Sequence, residues 1–86
     1  MVKVEIYTTG YCPYCVRAKD LLQRKGAVFA EINAENDELR EQMIVKAGGR
    51  RTVPQIFIND THVGGCDDLY ALDQQGKLDA LLAQSA

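Results

Sequence analysis

The sequence predicts an α/β fold, a four-stranded mixed sheet flanked by helices in the order β-α-β-α-β-β-α. Three observations predict it. Apolar residues alternate along Val2–Thr8 and then recur at helical spacing along Pro13–Lys25. Two short apolar runs later flank Asn59-Asp60, the pattern of a β-hairpin. Between the first strand and the first helix stands Cys12-Pro13-Tyr14-Cys15.

In the first strand Val2, Val4 and Ile6 alternate with Lys3, Glu5 and Tyr7, which gives one apolar and one polar face. From Pro13 the period changes. Cys15, Ala18, Leu21 and Leu22 share one helical face, and Arg17, Asp20, Gln23 and Arg24 the other. Pro13 suits a first helical turn, where its missing N–H costs nothing, and Gly26 ends the helix. Ala27–Ile32 reads as the second strand. Capping residues in Asn33–Asp37 open a second helix carrying Leu39, Met43, Ile44 and Ala47, and Gly48-Gly49 stops it. Gln55–Ile58 and Thr61–Val63 form the hairpin. Gly64-Gly65 breaks the last strand, and Asp67 and Asp68 open a third helix running to Gly76. The tail Lys77–Ala83 repeats Leu78, Leu81 and Leu82 at helical spacing.

At 86 residues the chain is expected to be one domain, 1–86, with no room for a second core. An apolar fraction of 47% is that of a globular protein. A net charge of −2, with both signs interspersed, gives no reason to expect nucleic acid or an acidic membrane as partner. The start, Met1-Val2-Lys3-Val4-Glu5, has neither the apolar stretch nor the cleavage site of a secretion signal, and no run is long enough to span a membrane. Three cysteines, with only two close in sequence, do not make a disulfide framework for a secreted domain. A cytoplasmic protein is expected.

A strand–helix–strand unit followed by a hairpin makes the first two strands parallel, joined by a right-handed crossover. Cys-x-x-Cys at the first strand-to-helix junction of such a unit is the thioredoxin-like arrangement, beyond the carboxyl end of a parallel strand where open sheets place ligands. Two cysteines three apart on a first helical turn close a small disulfide ring. Cys12 precedes the helix, where unpaired N–H groups and the helix dipole favour the thiolate, the reactive form of cysteine. Cys15 lies one turn in, on the core side. Cys12 therefore reads as the nucleophile and Cys15 as the thiol that resolves a mixed disulfide.

Two further segments accompany the cysteines. Pro54 in Thr52-Val53-Pro54 precedes a strand, where a missing ladder donor does no harm. Its peptide bond is either an ordinary trans bond or a cis bond that turns the backbone groups of Val53 outward, toward a peptide-like ligand. Gly64-Gly65-Cys66-Asp67-Asp68 offers close backbone approach and a helix N-terminus suited to a carboxylate. Asp67 in it is either a helix N-cap or the partner of an α-amino group. Tyr14 is either a plain surface aromatic or a wall of the binding site. Cys66 and His62, with Cys12 and Cys15, total four potential zinc ligands. Cys15 facing the core and His62 in a strand do not converge on a tetrahedron, so no metal is expected.

These motifs resemble those of the glutaredoxin family, in its short bacterial dithiol form. Cys12-Pro13-Tyr14-Cys15, Thr52-Val53-Pro54-Gln55-Ile56-Phe57-Ile58 and Gly64-Gly65-Cys66-Asp67-Asp68-Leu69 stand in family order and spacing, and the resemblance covers essentially the whole chain. It implies a thioredoxin fold and a glutathione-dependent thiol–disulfide oxidoreductase, with glutathione a cosubstrate and no cofactor held permanently. Protein disulfides and glutathionylated proteins would be its substrates, and the chain a monomer. It also implies that Pro54 is cis, that Asp67, Gly65 and the N–H of Cys66 hold the γ-glutamyl end of glutathione, and that Val53 pairs with its cysteinyl backbone beside Tyr14 and Thr52. One departure stands out. The family commonly carries Lys or Arg shortly before the first cysteine, where this chain has Thr8-Thr9-Gly10-Tyr11. Arg50 and Arg51 are the nearest candidates to replace that charge. The alternatives in the same fold are a redoxin served by thioredoxin reductase and a dimer holding an iron–sulfur cluster.

Overall fold

A computed structural model describes residues 2–83. Its strands are β1 (Val4–Thr8), β2 (Ala30–Asn33), β3 (Gln55–Ile58) and β4 (Thr61–Gly64). Its helices are α1 (Pro13–Arg24), α2 (Asp37–Lys46), α3 (Cys66–Gln74) and α4 (Lys77–Leu82). The sheet order is β2-β1-β3-β4, with β1 and β2 parallel and the other two pairings antiparallel. This is the element order that the periodicities predict, and the thioredoxin fold that the family resemblance implies.

The first two strands begin later than the alternation suggests. Lys3 does bond in that direction: Asn59 N–H donates to its carbonyl at 2.7 Å, and its own N–H donates to the Asn59 side chain at 2.9 Å. But Asn59 lies in the hairpin turn, where Asn59 and Asp60 both have positive φ (50° and 65°), so the ladder ends there. That pair is the primed two-residue turn that matches strand twist. On β2, Ala27 N–H is spent on Leu22 O (3.0 Å) to close the end of α1, and pairing with β1 starts only at Ala30.

Both faces of the sheet are covered. Val4, Ile6, Ile56 and Ile58 pack with Ala18, Leu21 and Leu22 of α1, Leu69 of α3 and Leu78 of α4. Tyr7 and Phe57 point the other way and pack with Met43 and Ile44 of α2. Tyr7, expected on a polar face, is therefore buried, edge-on to Phe57 at 5.7 Å between ring centres. A central strand covered on two sides hides its alternation. Lys25, at the end of α1, ties down α3 and α4 through Asp73 (2.6 Å) and Asp79 (3.1 Å).

The register gathers the three motifs. Tyr7 pairs with Gln55, so the segment entering β3 lies beside the chain leaving β1. Gly64 pairs with Ile56, so the chain leaving β4 emerges at the same end. Among the described residues no helix is long and apolar enough to cross a membrane.

Leu69 is fully buried and anchors α3 to the sheet. Leu69→Ala is expected to cost about 2–5 kcal/mol by leaving a cavity among rigid neighbours. A urea midpoint lowered accordingly, with unchanged slope, checks this.

Candidate active site

Cys12 is the N-cap of α1, in extended conformation (φ −148°, ψ 100°), and its sulfur accepts the N–H of Cys15 at 3.1 Å. Sulfur thus occupies the place where Ser or Asp usually satisfies a free N–H. Pro13 follows in the first turn, and no acidic residue stands there to oppose a negative sulfur. Cys12 and Cys15 are joined as a disulfide, with Cα atoms 5.2 Å apart. Cys12 is half-buried and Cys15 buried on the core side of the helix, the asymmetry that their spacing predicts.

The Val53–Pro54 peptide bond is cis. The Val53 carbonyl oxygen lies 3.9 Å from the Cys12 sulfur. Thr52, Val53 and Pro54 form one wall of an open groove of about 350 Å³, with Gly65, Cys66 and Asp67 facing them and Tyr14 and Arg50 completing it. Every residue expected to contact a ligand therefore lines one cavity. Tyr14 is 55% exposed, and Asp67 is exposed.

The cap of α3 differs from expectation. The helix starts at Cys66, and Gly65 is its N-cap. Asp68, not Asp67, makes the capping contact: its carboxylate accepts the N–H of Gly65 at 2.9 Å and pairs with Arg50 at 3.0 Å. Those two contacts, the N–H first, hold the Asp68 carboxyl below its ordinary pKa. Gly64, at φ 120°, keeps this approach open, because a side chain there would strike the Asp68 carboxylate. Asp67 is left free at the groove. The glycine-to-acid spacing of Gly65 and Asp68 is the signal that separates the two aspartates.

Arg50 brings positive charge to the groove, whereas Arg51 is exposed and outside it. On the other flank of the active-site loop, a second cavity is lined by Thr8, Thr9, Gly10, Asn33 and two acids, Glu31 and Glu35. Glu31 accepts from Thr8 (2.6 Å) and Lys19 (3.0 Å), which lower its pKa. The flank where the family resemblance leads to the expectation of a cation thus carries two acids here.

Cys66 is buried, and burial pushes its thiol pKa up, away from reactivity. His62 is bonded through Nε2 to Gln55 Oε1 at 2.7 Å rather than standing on the open surface of its strand. Among the described residues no three His, Cys, Asp or Glu side chains converge as metal ligands. Gln55, fully buried, was not a sequence candidate, although a lone amide opening an apolar strand is itself a sign of a buried partner.

A disulfide-forming pair at a helix N-terminus, beside a groove on the end of a thioredoxin-fold sheet, defines a thiol–disulfide oxidoreductase. The glutaredoxin family model matches residues 4–63, and the chain belongs to that family. It is similar to a glutaredoxin of Pseudomonas aeruginosa, 62% identical over 84 residues and spanning 96% of this chain and 99% of that one. The solution structure of glutaredoxin from Brucella melitensis superposes with a TM-score of 0.84 at 63% identity, over 95% of this chain and 89% of that chain. The crystal structure of a buckwheat glutaredoxin–glutathione complex superposes with a TM-score of 0.84 at 32% identity, over 92% and 74% respectively. Glutaredoxins use glutathione as cosubstrate, and the chain is an oxidoreductase of this kind, working through a dithiol pair.

The Asp68 cap carries a pH signature. A carboxyl whose folded pKa is depressed stabilises the fold above its unfolded pKa, about 4, and loses that contribution as pH falls through the lower folded value. Asp68→Ala is expected to lower stability by about 0.5–2 kcal/mol at neutral pH. The gap from the native protein then shrinks as pH drops below about 4. Melting temperatures of both proteins between neutral and acid pH check it.

Proposed function

We propose that Cys12 is the nucleophile and Cys15 the resolving thiol, and that the groove holds glutathione in the orientation that presents its sulfur to Cys12. The observation that carries this reading is the Cys12 sulfur on the N-terminus of α1, bonded to the Cys15 N–H and 3.9 Å from the Val53 carbonyl of the groove wall. In the dithiol form the same N–H and the helix dipole favour the Cys12 thiolate.

On a glutathionylated protein, the Cys12 thiolate attacks the glutathionyl sulfur. The bond between glutathione and the protein breaks, and the protein thiolate leaves and takes a proton from solvent. A second glutathione thiolate then attacks the glutathionyl sulfur on Cys12, releasing glutathione disulfide and restoring the Cys12 thiolate. On a protein disulfide, Cys12 forms the mixed disulfide, and the Cys15 thiolate attacks the Cys12 sulfur. The reduced protein leaves with the two electrons, and Cys12 and Cys15 are left oxidised as a disulfide. Two glutathione thiols supply two electrons to restore the dithiol and leave as glutathione disulfide.

In the groove, the Val53 backbone pairs with the cysteinyl residue of glutathione as a short added strand. Asp67 accepts from the α-amino group, while Gly65 admits the γ-glutamyl end closely and the Cys66 N–H donates to its carboxylate. Thr52, Pro54 and Tyr14 line the tripeptide. Glutathione serves as a passing cosubstrate with no permanently bound cofactor. The whole chain, 1–86, acts as a single-domain cytoplasmic monomer on disulfide-containing and glutathionylated proteins.

Single-cysteine variants separate the two thiols. Cys12→Ser is expected to abolish turnover of both substrate classes. Cys15→Ser keeps deglutathionylation, which needs only Cys12, and loses much of the reduction of protein disulfides. Equal loss of deglutathionylation in both variants, measured with a small glutathione mixed disulfide, contradicts the assignment.

Asp67 is tested apart from folding because Asp68 carries the cap. Asp67→Ala is expected to weaken glutathione use by about 1–3 kcal/mol, the worth of a hydrogen bond to a charged group. Its stability should stay within about 0.5 kcal/mol of native, as for an exposed substitution. An unchanged dependence of rate on glutathione concentration removes Asp67 from the ligand site.

A further inference from the structure

His62 has no part in the reaction, yet its imidazole is tied to the groove through one buried side chain. Gln55 Nε2 donates to the carbonyl oxygen of Thr52 at 3.0 Å and lies 3.3 Å from the Thr52 hydroxyl. The other end of the same amide, Oε1, is 2.7 Å from His62 Nε2. A carbonyl only accepts, so the nitrogen of Gln55 must face Thr52 and its oxygen must face His62. His62 Nε2 is then the donor, and the tautomer is settled by the chain of contacts.

The geometry is that of a brace. Phe57 pairs with His62 across β3 and β4, and Gln55 lies two residues before Phe57 on the same face, so His62 and Gln55 are diagonal neighbours. The imidazole also lies against the Phe57 ring, 5.1 Å between centres and tilted by 32°. Gln55 has no exposure, so each of its polar ends needs a protein partner. Without a donor from His62, Oε1 would be buried unpaired, and the amide would lose the orientation that presents its N–H to Thr52. Burial and the nearby Arg50 guanidinium hold the imidazole below its ordinary pKa, so at neutral pH it is uncharged and adds no cation to the groove.

We propose that His62 and Gln55 are positioning residues that fix the Thr52–Val53 segment for glutathione, His62 orienting the Gln55 amide and Gln55 holding the Thr52 carbonyl. This deepens the reading of the groove as a glutathione site and rests on it. Neither residue touches the ligand. Their effect falls on binding, because Thr52 and Val53 are groove wall, while the Cys12 sulfur keeps its own contact with the Cys15 N–H.

His62→Phe keeps a ring on Phe57 and removes the donor, and His62→Gln restores an amide N–H at about the reach of Nε2. His62→Phe is expected to raise KM for a small glutathione mixed disulfide about three- to tenfold, the worth of one neutral hydrogen bond. The kcat should stay within about twofold, as for a loss of uniform binding. His62→Gln should recover most of the loss. Reduction of the Cys12–Cys15 disulfide by dithiothreitol, which needs no groove, should match native in both. Gln55→Met, similar in size and without polar ends, should raise the same KM and serves if His62→Phe does not fold. In the native protein the two Gln55 side-chain amide protons should exchange slowly in nitrogen-edited NMR spectra. A native KM in His62→Phe, an equal rise in His62→Phe and His62→Gln, or freely exchanging Gln55 protons each overturns the proposal. Failure of the glutathione reading itself registers separately, as Asp67→Ala with unchanged glutathione dependence while the Gln55 protons remain protected.

Discussion

The arrangement depends on a sulfur standing where a helix needs a cap. The first turn of α1 has N–H groups with no intrahelical partner, and one of them, from Cys15, is satisfied by the Cys12 sulfur at 3.1 Å. This single contact goes with the half-buried Cys12 at the end of the helix axis and its partner one turn inside, the pair close enough to join. It also supplies partial positive charge at contact distance to the sulfur that the proposed reaction makes the thiolate. Pro13 reinforces it by starting the helix without needing a hydrogen bond of its own.

The sheet turns that local feature into a site. Because β3 runs antiparallel to β1 with Tyr7 opposite Gln55, the Thr52-Val53-Pro54 segment arrives beside Cys12 rather than at the far end. Because β4 returns antiparallel again, Gly64 and Gly65 reach the same end, and α3 starts there. Two helix N-termini and one strand entry thus converge on a groove lined by backbone and by the polar side chains of Tyr14, Arg50, Thr52, Asp67 and Asp68. Asp68 closes the last of these joints by holding the Gly65 N–H and the Arg50 side chain together.

Features set by neighbours in sequence were legible before the structure. The helical face of Cys15, Ala18, Leu21 and Leu22, the hairpin at Asn59-Asp60 and the core-side burial of Cys15 beside a more accessible Cys12 all follow from local period and spacing. What was not legible came from contacts across the fold. Tyr7 looks polar by alternation and is buried because α2 covers a face that the pattern of β1 alone assigns to solvent. The start of β2 is decided by Ala27, which closes α1 instead of pairing. Two adjacent aspartates stand near the start of α3, and the glycine-to-acid spacing selects Asp68 only once the helix is known to begin at Cys66, a matter of one residue. The cis peptide could be named in advance only through the family resemblance, since residue types near Pro54 leave both isomers open.

The electrostatics of the groove follow from the same division between backbone and side chain. Before the first cysteine, where the family resemblance leads to the expectation of a cation, this chain has Thr9 and Gly10 beside Glu31 and Glu35, and Lys19 is engaged by Glu31. Arg50 lines the opposite side, but its guanidinium is shared with Asp68. Lys19 and Arg50 are therefore paired off, and Glu31 and Glu35 are of the wrong sign to favour a thiolate. Exposed charges are also screened by salt over about 8 Å at physiological ionic strength, whereas a hydrogen bond at contact distance is not. In the proposed reaction the bias toward the Cys12 thiolate falls to the Cys15 N–H and the first turn of α1. That contribution belongs to the main chain, so it is present whenever α1 is formed and does not depend on any one basic side chain. A site built this way ties its reactivity to the integrity of a helix end, and the packing of Ala18, Leu21 and Leu22 that holds α1 on the sheet becomes part of the chemistry.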